Sequence, residues 1–196
     1  MSITGIILAA GASRRMGTPK ALLAYRGETW LDRWIGLLGR HCDPVLVVLG
    51  AEAESIRSGI RRLDEALFVC NPAPERGQFS SLQCALTVLP ERAEGFLFAP
   101  VDHPAVRPET VAQLVADFAR GGALVVAPRY RGRGGHPVCC ARLLAAEMLV
   151  EPPESQARLV LRRHLHATRY VDVDDPGVAE DVDDQDSYRR LLVNGP

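Results

Sequence analysis

Apolar residues in this 196-residue chain gather in short runs, and between the runs they recur every three or four positions. The first run, Ile3–Leu8, carries no charge and reads as a buried β-strand. Val45–Leu49, Leu67–Cys70, Phe96–Ala99 and Leu124–Ala127 repeat that pattern. The intervening segments have helical spacing. Thr29–Leu38 sets Leu31, Trp34, Ile35 and Leu38 on one stripe, with Thr29 as a plausible N-cap and Asp32 three residues on. A helix is predicted from about residue 52 to 62, and another carries Leu82, Ala85, Leu86 and Leu89. Pro108–Arg120 brings Val111, Leu114, Val115 and Phe118 into register. Farther on, His136–Cys140 reads as a strand, Ala141–Leu149 and Gln156–His164 as helices, and Thr168–Val173 as a late strand.

Strand and helix patterns alternating in this way predict an α/β fold with a mostly parallel sheet and helices on both faces. No linker or internal repeat interrupts it, so residues 1–196 are expected to form one domain. Ligands of such sheets gather at the carboxyl ends of the strands. That rule selects the loops after Leu8, Cys70, Ala99 and Ala127, which are also the four most unusual stretches of the chain.

Composition mainly excludes. With 47% hydrophobic and 24% charged residues and a formal net charge of -1, nothing draws the whole surface to nucleic acid or to an anionic membrane. Any anion must be held by locally placed cations. No apolar run approaches the roughly 20 residues of a membrane span. The N-terminus shows no basic region and no cleavage site, so no secretory signal is expected. The five cysteines are odd in number and form no C-x-x-C pair, which argues against disulfides or zinc and for a cytoplasmic location. Cys139 and Cys140 are neighbours and should face opposite sides of a strand as small buried residues.

The loop after the first strand is rich in small residues and carries Arg14, Arg15 and Lys20, a recipe for holding polyphosphate. It is neither a Walker A motif nor a G-x-G-x-x-G fingerprint. The loop after Ala99 reads Pro100-Val101-Asp102-His103-Pro104. A carboxylate fixed just past a buried strand suits Mg²⁺, although Asp102 is alternatively a cap for the next helix. His103 either orients a ligand or is a solvated loop residue. Downstream, Glu180 to Asp186 is a charge run, normally a solvated face, but its alternation around Val182 lets Asp181 or Asp183 turn inward beside Asp102. In the segment from Asn71 to Ser81, Gly77 permits a sharp turn, and Ser80 and Ser81 are either donors to a ligand or helix N-caps. Arg131 to Val138 is basic and glycine-rich, either a binding loop for a second anionic substrate or an exposed turn.

These segments together resemble the MobA/MocA-like nucleotidyltransferases of molybdenum-cofactor maturation, most of all the cytidylyltransferases among them. The signature L-A-A-G-x-S-x-R-M-G-x-x-K is met from Leu8 to Lys20, P-x-D-x-P at Pro100, Asp102 and Pro104, and G-H-P-V from Gly135 to Val138. Asn71, Pro72, Gly77, Ser80, Ser81 and Leu82 meet the N-P…G…S-S-L element. The resemblance implies a Rossmann-like, GT-A-like three-layer nucleotidyltransferase fold. It implies a Mg²⁺-dependent transfer of CMP from CTP to the phosphate of molybdopterin, with release of pyrophosphate. Arg15, Lys20 and Asp102 would be catalytic, and Asp102 and Asp183 would hold the metal. Leu8, Ala9, Ala10, Gly11, Asn71, Gly77, Ser80 and Ser81 would meet the nucleotide. His103, Gly135, His136 and Pro137 would meet the acceptor. Ala10 matches the CTP-using variant, where GTP-using relatives tend to carry glycine. A receiving molybdoenzyme or its chaperone is the further partner implied.

Three positions depart from the pattern. The late motif resembles D-[IV]-D-T-P-E-D, but Asp184-Gln185 stands where Thr-Pro is usual. Gly134 replaces the second arginine of G-R-R-G-H-P, and Gln156 stands where a small residue is common. The competing readings are a relative that uses GTP or a sugar or alditol phosphate, a non-catalytic cofactor carrier, and a nicotinamide-dependent oxidoreductase. The missing G-x-G-x-x-G counts against the last.

Overall fold

The computed structural model describes residues 1–13 and 15–194; Arg14, counted above among the loop cations, lies outside the described residues. The chain forms β1 (Ile3–Ala9), the hairpin β2 (Ala24–Tyr25) and β3 (Glu28–Thr29), then α1 (Trp30–Leu38), β4 (Val45–Leu49), α2 (Ala53–Gly59) and β5 (Leu67–Cys70). It continues with α3 (Gln78–Thr87), β6 (Gly95–Pro100), α4 (Pro108–Ala119), β7 (Val125–Tyr130), β8 (Arg133–Gly134) and β9 (Val138–Ala141). The last elements are α5 (Leu143–Leu149), α6 (Ala157–Arg163), β10 (Thr168–Asp172) and α7 (Gln185–Asn194).

The main sheet runs β10-β7-β9-β6-β1-β4-β5, with β8 paired to β7. Pairings of β1 with β4 and β6, of β4 with β5 and of β7 with β10 are parallel, while β9 lies antiparallel between β6 and β7. Side chains on a strand alternate between faces, and β1 does so cleanly. Ile3, Ile7 and Ala9 join the core under α1, α2 and α4, whereas Ile6, Leu8 and Ala10 join the core under α3, α5 and α6. Cys139 and Cys140 divide between the same two cores, as their adjacency predicts.

The chain leaves β1 for β4 and β5 on one side, and β6 returns to the other. The crevice at the carboxyl ends of β1 and β6 is therefore the topological switch point, where open parallel sheets bind ligands. The cap at α1 is as expected: Thr29 Oγ1 accepts from Asp32 N at 3.0 Å. Asp32 Oδ1, buried, accepts from Arg61 N and Arg62 N, both at 2.9 Å. That is why α2 stops at Gly59 and not near residue 62: the amides that would follow it are bound to Asp32. Strand β7 runs on to Tyr130 because Arg129 and Tyr130 pair with β8. Among the described residues no helix is long and apolar enough to cross a membrane.

Candidate active site

Two cavities open side by side at the carboxyl ends of the parallel strands. The smaller, about 320 Å³, is walled by the loop after β1 and by residues that follow β6. Leu8, Ala9, Ala10 and Gly11 line it, with Ser13, Arg15, Lys20, Gly77, Ser81, Asp102 and Asp183. The loop holds its shape internally. Ser13 Oγ accepts from Lys20 N at 2.9 Å, and Ser13 O accepts from Met16 N at 2.8 Å. Buried Met16 is its apolar anchor.

At the centre of this cavity Lys20 Nζ lies 3.1 Å from Asp102 Oδ2 and 2.6 Å from Asp183 Oδ1. The ammonium is mostly buried, and both carboxylates keep one side open to solvent. Arg15 approaches Asp183 Oδ2 at 3.2 Å from the exposed rim, where such a pair adds little stability. The Lys20 hydrogen bond holds the Asp183 carboxyl below the ordinary carboxylate value; burial opposes this, and the charges of Lys20 and Arg15 assist. Of the two inward candidates, Asp183 is the one beside Asp102. Asp181 lines the larger cavity instead. Val182 is buried and donates its N–H to Asp102 O at 2.9 Å, so the charge run is not a solvated face throughout.

Asp102 is not a helix cap. Asp175 does that work at α4, accepting from Arg107 N at 2.8 Å and Thr110 Oγ1 at 2.6 Å. Ser80 and Ser81 are not N-caps either. Gly77, at φ 103°, occupies that position, and the serines sit inside the first turn of α3. Asn71 Nδ2 donates to both hydroxyls, at 2.9 and 3.0 Å, and Asn71 Oδ1 accepts from Ala73 N. Asn71 and Ser80 are thus buried braces behind the wall, while Ser81 and Gly77 line it.

The larger cavity, about 920 Å³, shares Leu8, Gly77 and Gln78 with the smaller one. His103, Gly135 and His136 line it; Pro137 is buried behind them. His103 is not a solvated residue: it is buried, with Nδ1 3.2 Å from the Gly177 carbonyl and its ring 5.2 Å from that of His136. Burial, then the proximity of His103, lowers the His136 pKa to about 3, against a raising hydrogen bond at the Phe98 backbone. His136 is neutral at pH 7 and cannot serve as a cation there. The basic part of the neighbouring loop is an exposed turn. Arg131 lies over the Tyr130 ring and, like Arg133, does not line the cavity. The arginines that do are Arg76, Arg158 and Arg162. The i, i+4 spacing of Arg158 and Arg162 on a predicted helix was the available sign of a shared face.

The model of the MobA-like NTP transferase domain matches residues 5–168. Nicotine blue oxidoreductase of Paenarthrobacter nicotinovorans is 33% identical over 97% of this chain and 96% of its own length. A probable molybdenum cofactor guanylyltransferase of Mycobacterium ulcerans is 29% identical over 75% of this chain and 71% of its own. Rv0371c of Mycobacterium tuberculosis H37Rv superposes in one crystal structure with a TM-score of 0.88 at 32% identity, covering 99% of this chain and 100% of that one. A second structure of Rv0371c, in complex with manganese, gives a TM-score of 0.78 at 28% identity with the same coverage.

Proposed function

This chain belongs to the MobA-like NTP transferase family, and we propose that within it the protein joins CMP from CTP to the phosphate of molybdopterin with Mg²⁺, in the cytoplasm, releasing pyrophosphate. One observation carries the reading: Lys20 Nζ is shared by Asp102 and Asp183 at the mouth of a small-residue loop. Two carboxylates around one positive charge mark a place that favours a cation. Among the described residues no third His, Cys, Asp or Glu joins them. That donor set fits Mg²⁺, which takes one or two carboxylates and completes its shell with water and substrate phosphate oxygens. A manganese complex of a relative supports a divalent ion at this fold.

In this reading the backbone of Ala9, Ala10 and Gly11 lies against the nucleotide, and Arg15 and Lys20 meet its phosphates. Asp102 and Asp183 hold Mg²⁺, which neutralises charge as the transfer proceeds. An acceptor phosphate oxygen attacks the α-phosphorus, the bond to the β-phosphate oxygen breaks, and pyrophosphate leaves. The chain needs no nucleophile or base of its own, because the acceptor phosphate is already ionised at pH 7. Its contribution is position and charge. Ala10 supports CTP over GTP by resemblance, while relatives of this chain are named guanylyltransferases. The product would pass to a molybdoenzyme or its chaperone.

A second reading has its own support, since a relative matched over nearly its whole length is named an oxidoreductase. Pyrophosphate release measured with each NTP, with and without molybdopterin, in Mg²⁺, separates the two. We expect turnover with CTP and poor turnover with GTP. Equal rates with both would end the CTP assignment. Turnover only with a sugar phosphate would replace the acceptor. Oxidation of a nicotinamide cofactor without pyrophosphate release would favour the second reading.

A further inference from the structure

The larger cavity is chemically two-sided. Its floor is apolar, made by Phe98, Val125, Ala127, Val138 and Leu161. Its rim is cationic, and most arginines nearby are already matched. Arg76 Nε binds Glu154 at 2.7 Å, Arg163 binds Glu151 at 2.6 Å, and Arg129 binds Asp172 at 2.8 Å. Arg158 and Arg162 are different. They stand one helical turn apart on α6, both line the cavity, both are exposed, and neither has an ion-pair or hydrogen-bond partner among the described residues. Two adjacent guanidinium groups repel, and without a structural partner their placement over a cavity calls for an anion. His136 cannot share the task, because burial keeps it neutral.

We propose that Arg158 and Arg162 form a second anion grip for the acceptor. They take a negatively charged group separate from the phosphate that receives the nucleotide, while a flat apolar part of the acceptor lies on the floor. This rests on the transferase reading above. On molybdopterin the group of that chemistry is the pair of thiolates. The inference therefore defines the acceptor class as a ring system with two anionic substituents. A simple sugar phosphate, with one anionic group and no apolar face, satisfies only half of the cavity.

The test uses the full chain, kept anaerobic, with molybdopterin and with molybdopterin whose sulfurs are alkylated by iodoacetamide and so carry no charge. Binding is read from pterin fluorescence and transfer from pyrophosphate release with CTP. We expect wild type to prefer the thiolate form by about tenfold or more, as for a charge-assisted pair. Arg158→Gln/Arg162→Gln should lose that preference, and the change should fall on the KM for the acceptor and not on the KM for CTP. Arg158→Lys/Arg162→Lys should restore part of the preference, since the charge returns without the fork geometry. The exposed positions leave the fold intact, checked by Tm. A double glutamine variant that keeps the preference and the wild-type KM overturns the grip while the transferase reading stands. Thiolate-dependent binding without transfer of CMP keeps the grip and overturns the transferase reading. No binding of molybdopterin by wild type overturns both.

Discussion

The two cavities are neighbours with opposite construction. The smaller is made mainly by one loop, the start of α3 and a carboxylate from each of two further loops, and its charges are closed on one another through Lys20. The larger is assembled from β7, β9, α6, β10 and the start of α3, and its exposed arginines Arg158 and Arg162 are unmatched among the described residues. In the proposed reading, chemistry sits where backbone geometry at the sheet's switch point leaves little choice. In the same reading, recognition of the acceptor sits on side chains of later elements, which can be exchanged without disturbing the parallel strands. The largest test of this contrast is Asp102→Ala. Turnover should fall by about a thousandfold, as for loss of a central charge-stabilising group. Tm should barely change, because the side chain is partly exposed and Lys20 keeps Asp183. Retained turnover would remove the smaller cavity as the seat of the reaction.

Two glycines probe the cavities separately. A Cβ on Gly50 would lie 2.6 Å from the Ala10 carbonyl oxygen, so Gly50→Ala presses directly on the loop after β1. A Cβ on Gly135 would run into the Val178 carbonyl oxygen, the same oxygen that accepts from His136 N at 2.8 Å. Each clash is with backbone and should cost about 1–3 kcal/mol, the Gly135 variant at the upper end. Their kinetic effects should diverge. Gly50→Ala should raise the KM for the nucleotide roughly tenfold, and Gly135→Ala should do the same for the acceptor, since a displacement of about 1 Å is enough. If either variant moves both constants together, the cavities are one unit and the contrast fails.

Much of the smaller cavity was legible in the chain because its signals are local. A charge-free run such as Ile3–Leu8 can only be buried, small residues after it announce a close backbone approach, and Asp102 follows a strand that must end there. Alternation about Val182 brought either Asp181 or Asp183 inward, and only the resemblance singled out Asp183. The larger cavity was legible only at His103, Gly135 and His136, and the rest was not, for physical reasons. Away from both cavities, the hairpin Ala24–Thr29 has strands of two residues, too short to show a period. Strand β9 inserts antiparallel between β6 and β7, and no pattern on one strand reveals its neighbour's direction. Composition pointed to Arg131 and Arg133, which turn to solvent, while the arginines over the cavity belong to a short helix. Helix α7 carries no such signal: it is mostly polar, and Tyr188, Leu191 and a bond from Gln185 Nε2 to the Met16 carbonyl at 3.0 Å hold it down. Tyr188 packs edge-on against Trp30 at 5.7 Å and donates to the Ala24 carbonyl.

The start of α7 also explains how the usual Thr-Pro turn can be absent. Asp184 occupies the cap position, its Oδ1 accepting from Ser187 N at 2.8 Å, while Ser187 Oγ accepts from Asp184 N at 3.1 Å and Asp183 N at 3.2 Å. This reciprocal cap does what threonine and proline would do, and it fixes the backbone that aims Asp183 at Lys20. The Ser187 backbone N–H, then its hydroxyl, holds the Asp184 carboxyl below the ordinary value of 3.8. Asp183 is lowered too, through Lys20. A lowered carboxylate contributes stability that is fully present above the unfolded value and lost as pH falls through the folded one. Asp184→Ala should therefore lower Tm slightly at pH 7 and by less at a pH below the lowered carboxylate value, where wild type has lost the same contribution. At pH 7 the KM for Mg²⁺ should rise a few-fold with the KM for the acceptor unchanged, and Asp184→Asn, still a good cap, should behave nearly as wild type. Tm against pH and a metal titration of turnover read both effects. An equal Tm deficit at both pH values would detach the cap from its carboxylate charge. A change confined to the acceptor constant would place α7 on the wrong side of the comparison.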